Sequence, residues 1–429
     1  MKQTRTELHT HLMGMLSAKE LLNMISEYTD VIYWPLYKSL GDDSKLVSIS
    51  SLLDNEDALD QLRIKHGKQV DYPNLSFYYD IRGSLISYLV SIVFLNKGKV
   101  PVKYNDLLSN EEVLNGIIDN NTSISKNQDI NIFKAMLNYA QIEMSLNKDL
   151  YDYSKKVVYS DYVNRCLSEL IDKGCKYVEI SYSYENIISL IDINPEISKE
   201  INCKFLLSTG RGRPIREMKR SAKSLELALS KGMTVGFDIM GVEDPLTDLE
   251  KTYDTTNKSK SFKRKLEILI ETLIKDQEHK NTLRIHSGES RKSYDNTEWV
   301  LNTLKEIKED YRVNQGLKIL PPPELRIGHG LYFRKSKNYI DRLREFEAII
   351  EINASSNFGL NNVDSYKDIP YDYYLENGIP VVIATDGHGL YDTDIRYEDY
   401  IASIYSNHYD IISVYDKYVL EGKMRRWVI

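Results

Sequence analysis

The histidines have the clearest potential for chemistry in this sequence. The chain has 8 of them, and four stand at the ends of short apolar segments typical of β-strands. His9 and His11 flank Thr10, and because side chains alternate along a strand, both imidazoles point to one side. Taken alone, this pair fits a metal site but also fits two polar residues of a strand.

Two further residues complete a possible ligand set. His286 ends a later segment, and Asp386 ends the last one, which adjoins the first strand if the strands close into a barrel. Three neutral imidazoles and one carboxylate suit Zn²⁺, which prefers nitrogen and oxygen ligands and leaves a position for water. We predict that one zinc ion per chain is held by His9, His11, His286 and Asp386.

Two more residues lie where a catalytic acid and base would be needed. Glu289 follows His286 by three residues, and His329 stands between Gly328 and Gly330, which allow close approach of substrate or of a metal-bound water. Zinc lowers the pKa of bound water enough to form hydroxide near neutral pH. The alternative for His329 is a hydrogen-bonded loop residue.

Short strand-like segments alternate with longer helical stretches, which is typical of a parallel α/β architecture. Eight strands would close an α/β (β/α)8 TIM-type barrel, whose catalytic groups lie at the carboxyl ends of the strands. The expected strands are 6–11, 177–183, 203–208, 234–241, 283–289, 325–330, 349–355 and 381–386.

The spacing between the first two strands is far longer than one helix. We predict a helical insertion or cap at 29–156 over the barrel mouth, within a single barrel domain that spans 1–429. Its Tyr-rich and Asn-rich sequence carries no catalytic motif. A structural cap with some lid function is favoured over a separate binding domain.

Composition limits the classes of partner and the compartment. The formal net charge is -7 and 42% of the residues are hydrophobic, so a long nucleic acid is a poor partner and a small molecule a better one. The 3 cysteines form no CxxC pair, which fits a reducing compartment. The first seven residues are polar, and the longest apolar run, 85–95, is too short to cross a bilayer. We therefore expect a cytoplasmic protein.

Several separated motifs together resemble the adenosine deaminase family of metal-dependent amidohydrolases. They follow the family's order and cover the first strand and roughly 177–389. The motifs are ELHTHL at 7–12, GFDIMG at 236–241, HSGE at 286–289, RIGHG at 326–330, EINASSN at 351–357 and TD at 385–386.

The resemblance implies zinc-dependent hydrolytic deamination of the 6-amino group of an adenine nucleoside or nucleotide, which yields the inosine form and ammonia. It assigns the zinc ligands as above and makes Glu289 the proton donor to ring N1. It also implies that His329 orients or deprotonates the attacking water and that Gly241 contacts the substrate.

The residues at two of the positions that contact substrate in the family differ in this chain. The family usually has an acidic residue near the ribose where this chain has Met13, and a second aspartate near purine N7 where it has Gly387. His388 either replaces the purine contact or has a structural role in its loop. Met13 either relieves repulsion of a phosphate or simply packs against the cap.

Four basic residues follow strands on the expected catalytic face. Arg211 and Arg213 follow the third strand, and Arg291 and Lys292 follow the fifth. With Met13 in place of an acid, they predict a preference for a 5′-phosphorylated substrate. The alternative is that these residues are ordinary surface cations.

Two other functions remain to be compared with deamination. One is a different amidohydrolase reaction at two metals, but such sites usually use a lysine on the fourth strand, and 234–241 contains none. The other is a catalytically silent, nucleotide-binding assembly subunit, which would have no need of Glu289 and His329. The sequence leaves open nucleoside against mono- or triphosphate, ribose against deoxyribose, the oligomeric state and the pathway.

Overall fold

The sheet that organises this protein has eight parallel strands. The computed structural model describes residues 5–36, 44–71, 75–119, 128–183, 185–241, 262–274, 281–291, 293–294, 296–314, 324–333 and 335–412. Each barrel strand pairs with the next barrel strand along the chain. The strands are β1 Arg5–His11, β4 Cys175–Tyr182, β5 Asn202–Gly210, β6 Gly236–Met240, β7 Thr282–Ser287, β8 Glu324–His329, β9 Ile349–Ile352 and β10 Val381–Ile383.

The sheet closes on itself just after β10. Thr10 forms a parallel bridge with Asp386. The Asp386 N–H donates to the carbonyl of His9 at 2.8 Å, and the His11 N–H donates to the carbonyl of Asp386 at 3.2 Å. The eight strands thus form a nearly closed TIM-type barrel, as the alternating pattern predicted. Closure brings the first strand and the residue after the last strand together.

Several of the helices that follow the barrel strands bury one apolar face. On α12, for example, Met218, Ala222 and Leu225 recur at helical spacing and are buried. The helices are α10 Glu185–Ile188, α11 Pro195–Glu200, α12 Ile215–Ser230, α13 Phe262–Leu273, α14 Asn296–Asn314, α15 Lys337–Glu345, α16 Ala354–Gly359, α17 Tyr371–Glu376 and α18 Ile395–Tyr405.

The chain between β1 and β4 contains helices and one antiparallel ribbon, β2 Val31–Trp34 paired with β3 Lys45–Ser48. The ribbon lies inside the segment for which the sequence predicted helices. Its helices are α1 Leu12–Met15, α2 Ala18–Tyr28, α3 Ser50–Leu53, α4 Glu56–Leu59, α5 Leu75–Leu95, α6 Tyr104–Leu108, α7 Glu111–Asp119, α8 Gln128–Leu146 and α9 Lys148–Asp172.

Two of these helices are hydrogen-bonded to α1, the short helix that directly follows β1. Arg82 on α5 is fully buried and donates from Nε to the carbonyl of Met13 at 2.7 Å. Tyr162 on α9 donates to the carbonyl of Leu12 at 3.0 Å. These bonds hold α5 and α9 over the carboxyl end of β1. Within the described residues, no helix is long and apolar enough to span a membrane.

One buried carboxyl of the barrel gives a pH-dependent contribution to stability. Glu398 on α18 accepts hydrogen bonds from the backbone N–H of Ser355 and the hydroxyl of Thr393. Burial outweighs these bonds and raises the pKa of Glu398 from 4.5 to about 7. Between these two values the unfolded chain ionises first, so stability is lost as pH rises.

We expect Glu398→Gln, which does not titrate, to gain stability relative to the wild type by about 2–3 kcal/mol between pH 5 and pH 8. Urea unfolding of both proteins at both pH values measures this difference, and titrations shared by the two proteins cancel. If the stability difference between the two proteins is the same at pH 5 and pH 8, Glu398 is ionised in the folded chain throughout this range.

Candidate metal and catalytic site

The barrel mouth gathers the side chains that the sequence singled out. His9 and His11 come from β1, His286 from β7 and His329 from the end of β8, and Asp386 follows β10. The ligand atoms of His9, His11 and His286 lie within 4.8 Å of one another, as do those of His9, His329 and Asp386. The structure therefore brings together the four predicted ligands and His329.

The ring of His9 is oriented by Glu351, which is itself paired with Arg284. Its Nδ1 lies 2.8 Å from Oε2 of Glu351, and the same carboxylate oxygen is 2.7 Å from Nε of Arg284. Nδ1 is therefore the protonated nitrogen, and the Nε2 lone pair faces the site. Burial, followed by the positive charge of Arg284, holds the pKa of His9 well below its usual range. A neutral imidazole with a free Nε2 is the form that binds metals.

His286 lies beside a carboxylate for which the sequence analysis predicted no role. Its Nε2 lies 3.3 Å from Oδ1 of Asp238 on β6. Burial lowers the pKa of His286 to about 4, so this imidazole is also neutral. Although burial opposes ionisation, His286 and Arg284 hold the pKa of Asp238 well below its usual range. The sequence feature that could have indicated Asp238 was its position as a carboxylate within an otherwise apolar strand.

Asp386 occupies a strained backbone conformation. Its φ is +64°, and that of His329 is +71°, in the left-handed region that favours glycine. Non-glycine residues remain there only where the surroundings fix them, and such residues cluster at functional sites. The Asp386 Oδ1 lies 3.2 Å from Nε2 of His11, while Oδ2 accepts a 2.6 Å hydrogen bond from Ser356. These contacts aim one carboxylate oxygen at the histidines.

Glu289 and His329 lie close together beside the candidate metal ligands. Oε1 of Glu289 is 3.7 Å from Nε2 of His329, and both side chains are buried. The Nδ1 of His329 lies 2.9 Å from Oδ1 of Asn357 on α16. Because an amide oxygen only accepts hydrogen bonds, Nδ1 is the donor and Nε2 can accept a proton. Asn357 thus plays the same part for His329 as Glu351 does for His9.

The residues present fit a metal ion. Among the described residues, four buried atoms near one point have no hydrogen-bond partner: Nε2 of His9, His286 and His329, and Oδ1 of Asp238. Buried polar atoms are rarely left unpaired, because an unmade hydrogen bond costs about 1–3 kcal/mol. Several convergent lone pairs are satisfied together by a cation, and nitrogen and carboxylate donors suit Zn²⁺.

Gly328 makes room for the histidines. A Cβ placed on Gly328 would lie 2.8 Å from Cε1 of His9 and 3.4 Å from Cδ2 of His286. The sequence suggested that this glycine allows close approach of substrate or water. In the structure it allows close approach of the two imidazoles.

We expect Gly328→Ala to lower zinc affinity by at least about tenfold. Changes in residues around the metal ligands that disturb ligand orientation typically lower metal affinity by about 10–100-fold. His9 cannot give way because Glu351 holds its other nitrogen. Zinc competition with a chromogenic chelator measures the effect. Gly83→Ala, at a helical glycine of α5 where the added Cβ meets no atom within 4 Å, is the control for handling and folding. Equal zinc affinity in the variant and the wild type would contradict this account.

A cavity of about 1160 Å³ opens above the site. Its floor includes His11, His286, Glu289, His329 and Asp386, and its walls come from the barrel mouth and from α5, α8 and α9. Met13 and Gly241 line this cavity. Met13 also packs against the main hydrophobic core, so both sequence interpretations of this residue have a structural counterpart.

Other expected substrate contacts lie elsewhere. Gly387 and His388 are not among the described residues of the cavity lining. Gly387 packs against Gly14, and a Cβ there would lie 3.1 Å from the Gly14 Cα. Nε2 of His388 lies 3.4 Å from Oε2 of Glu169, which is a contact between this loop and α9.

The expected phosphate-binding arginines also lie away from the described cavity lining. Arg211 is buried and donates to the carbonyl of His286. Arg213 is exposed and lies 3.4 Å from Glu217, while Arg291 pairs with Asp364 at 2.5 Å. Lys292 lies outside the described residues.

Two tyrosines at the site were missed from the sequence. Tyr79 on α5 and Tyr391 line the cavity beside Glu289 and Asp386. Burial, followed by the charge of Asp386, raises the pKa of both phenols well above the usual value, so both remain protonated donors. No local pattern marked Tyr79 among 32 tyrosines, because its position depends on how α5 packs on the barrel.

Comparisons with known proteins agree with this geometry. The family model described as Adenosine deaminase matches residues 312–413. An adenosine deaminase of Plasmodium gallinaceum is 27% identical over 266 residues, covering 60% of this chain and 62% of that protein. An N6-methyl-AMP deaminase of Danio rerio is 26% identical over 257 residues, covering 55% and 63%. The matches thus span less than two thirds of these relatives.

A solved structure shows the likeness in fold. The apo N6-methyl-AMP deaminase of Arabidopsis thaliana has a TM-score of 0.50 at 13% identity, covering 99% of this chain and 93% of that one. The strand order and the His and Asp groups at the mouth define a TIM-type barrel with a candidate metal site. Over the matched segments, this chain is similar to the adenosine deaminase family.

Proposed function

We propose that this protein removes the 6-amino group of an adenine nucleoside or nucleotide by hydrolysis, which yields the inosine form and ammonia. The observation that carries the proposal is the convergence of Glu289, His329 and the unpaired nitrogen of His286 on the floor of one cavity. The unpaired nitrogen of His9 lies within 4.8 Å of the His286 ligand atom. Relatives named adenosine deaminase and N6-methyl-AMP deaminase support the same reaction class.

One zinc ion per chain is held by His9, His11, His286 and Asp386 in this proposal. The four side chains provide three imidazole nitrogens and one carboxylate, and Glu351 and Ser356 orient two of them. When bound, zinc supplies a Lewis acid that makes water a nucleophile near neutral pH. Elemental analysis of the purified protein tests the count, and two metals per chain would contradict it.

Two side chains of this protein, Glu289 and His329, transfer the protons of the reaction. Glu289, in its acid form, donates a proton to ring N1, which weakens the aromatic resistance of the purine to addition at C6. His329 accepts the proton of the attacking water at Nε2, because Asn357 keeps its Nδ1 protonated. Gly241 lines the cavity at the position expected to face the purine. The walls from α5 and α9 bury the reacting atoms away from bulk water.

A product screen is the direct test of this function. The zinc-loaded protein is incubated separately with adenosine, deoxyadenosine, their mono- and triphosphates, N6-methyl-AMP and an adenine-containing RNA. We expect ammonia or methylamine, together with an inosine-type product, from at least one small substrate. No release from any of them would contradict deamination. It would favour another hydrolytic reaction or a silent nucleotide-binding role.

A further inference from the structure

One buried cation in the cavity has no role in the steps above. Lys155 on α9 is only 4% exposed, and it lines the same cavity as Glu289 and His329. Lysines are rarely buried to this degree unless their charge is used or paired. Among the described lining residues, Lys155 is the only lysine or arginine.

The ammonium of Lys155 retains capacity for a ligand. Its Nζ lies 2.6 Å from Oδ1 of Asp152 and 4.2 Å from the ring centre of Tyr151. An ammonium has three N–H donors, and the one carboxylate takes one of them. The Asp152 side chain is 32% exposed, so water can solvate it when a second anion binds Lys155.

The position of Lys155 suits the far end of a nucleotide. Tyr162 fixes the inner part of α9 beside Leu12, the residue after His11. Lys155 precedes Tyr162 by seven residues, which is about 10 Å along a helix axis. That separation is comparable with the distance from the purine ring to the 5′-phosphate of a nucleotide. Tyr159, between them on the same face, also lines the cavity.

The cavity that Lys155 lines also has small polar side chains in its walls. Ser84, Ser87 and Ser91 present small side chains from α5 to the cavity, and Asn186 lines it from α10. Amide and hydroxyl groups are suitable donors to phosphate oxygens, and an ammonium adds a charge-assisted bond. The arginines after β5 provide no such contact, because Arg211 binds the carbonyl of His286 and Arg213 faces Glu217.

We propose that Lys155 forms a subsite for the 5′-phosphate of a nucleoside monophosphate at the outer end of the cavity. This inference rests on the proposed function, since it places the purine over Glu289. It makes a nucleotide, rather than a free nucleoside, the preferred substrate.

The test compares Lys155→Met with Lys156→Met. Lys156 is the next residue of α9, but its side chain is 49% exposed, and it pairs with Asp192 outside the described cavity lining. Calorimetry measures binding of IMP and of inosine to each zinc-loaded protein. We expect Lys155→Met to weaken IMP binding by about 10–100-fold, as for loss of a charge-assisted bond, and to change inosine binding less than about twofold. Lys156→Met should change neither.

Two further measurements separate the possible failures. Lys155→Arg keeps the charge, so it should retain most IMP selectivity even if Lys155→Met is poorly folded. The ratio of kcat/KM for AMP to that for adenosine should fall in Lys155→Met. Equal losses for both ligands, or no loss for IMP, would overturn the subsite even where deamination is intact. Selective IMP binding that needs Lys155, without any turnover, would leave the subsite standing and overturn the proposed reaction.

Discussion

Glu289→Gln is expected to keep the fold and the zinc while turnover falls by about 10²–10⁴-fold, the usual contribution of a general acid or base. The side chain is 3% exposed and its Oε1 lies 3.7 Å from Nε2 of His329. Glutamine preserves the volume and can form hydrogen bonds, but its amide cannot transfer a proton to ring N1. Ammonia release measures turnover, and elemental analysis and thermal unfolding report on zinc and fold.

The matched control is Glu196→Gln, the same change at a side chain that is 77% exposed. It should leave kcat and KM unchanged. If Glu289→Gln retains activity within about tenfold of the wild type, which is about 1.4 kcal/mol in the barrier, Glu289 is not the acid. Loss of zinc together with activity would instead make Glu289 part of the metal site.

Asp386→Asn is expected to lower zinc affinity by more than about 100-fold, which exceeds the effect of changing residues that only contact the ligands. Activity should fall in proportion to the zinc content. The carboxylate is the anionic member of the proposed ligand set, and its Oδ1 faces Nε2 of His11 at 3.2 Å. Asparagine keeps the size of the side chain but lacks the charge. Chelator competition measures the affinity, and activity is then followed as zinc is added back.

Asp192→Asn, at a side chain that is 70% exposed, is the control. His329→Ala provides the contrast, because His329 approaches the same atoms but is assigned to the water rather than to the metal. It should retain most zinc and still fail in turnover. Wild-type zinc affinity in Asp386→Asn, or loss of zinc in His329→Ala, would mean that the two residues exchange roles.

The local sequence predicted the barrel and the residues that meet in its candidate metal site. Alternation on β1 places His9 and His11 on one side, and strand ends place His286, His329 and Asp386 at one mouth. These inferences succeed because a parallel barrel has a fixed geometry, so a residue's position along its strand defines its place around the axis. The absence of a lysine from 234–241 also argued against rivals that use a lysine on the fourth barrel strand.

Only the tertiary structure decided which nitrogen of each histidine is free and what lines the cavity. Glu351 and Asn357 fix His9 and His329 from distant parts of the chain, and Gly328 makes room for the imidazoles. Arg211 follows its strand as expected but turns to a backbone carbonyl. Tyr79 and Lys155 reach the cavity from helices between the first two barrel strands. Their places follow from helix packing over the mouth, which depends on contacts between residues far apart in sequence.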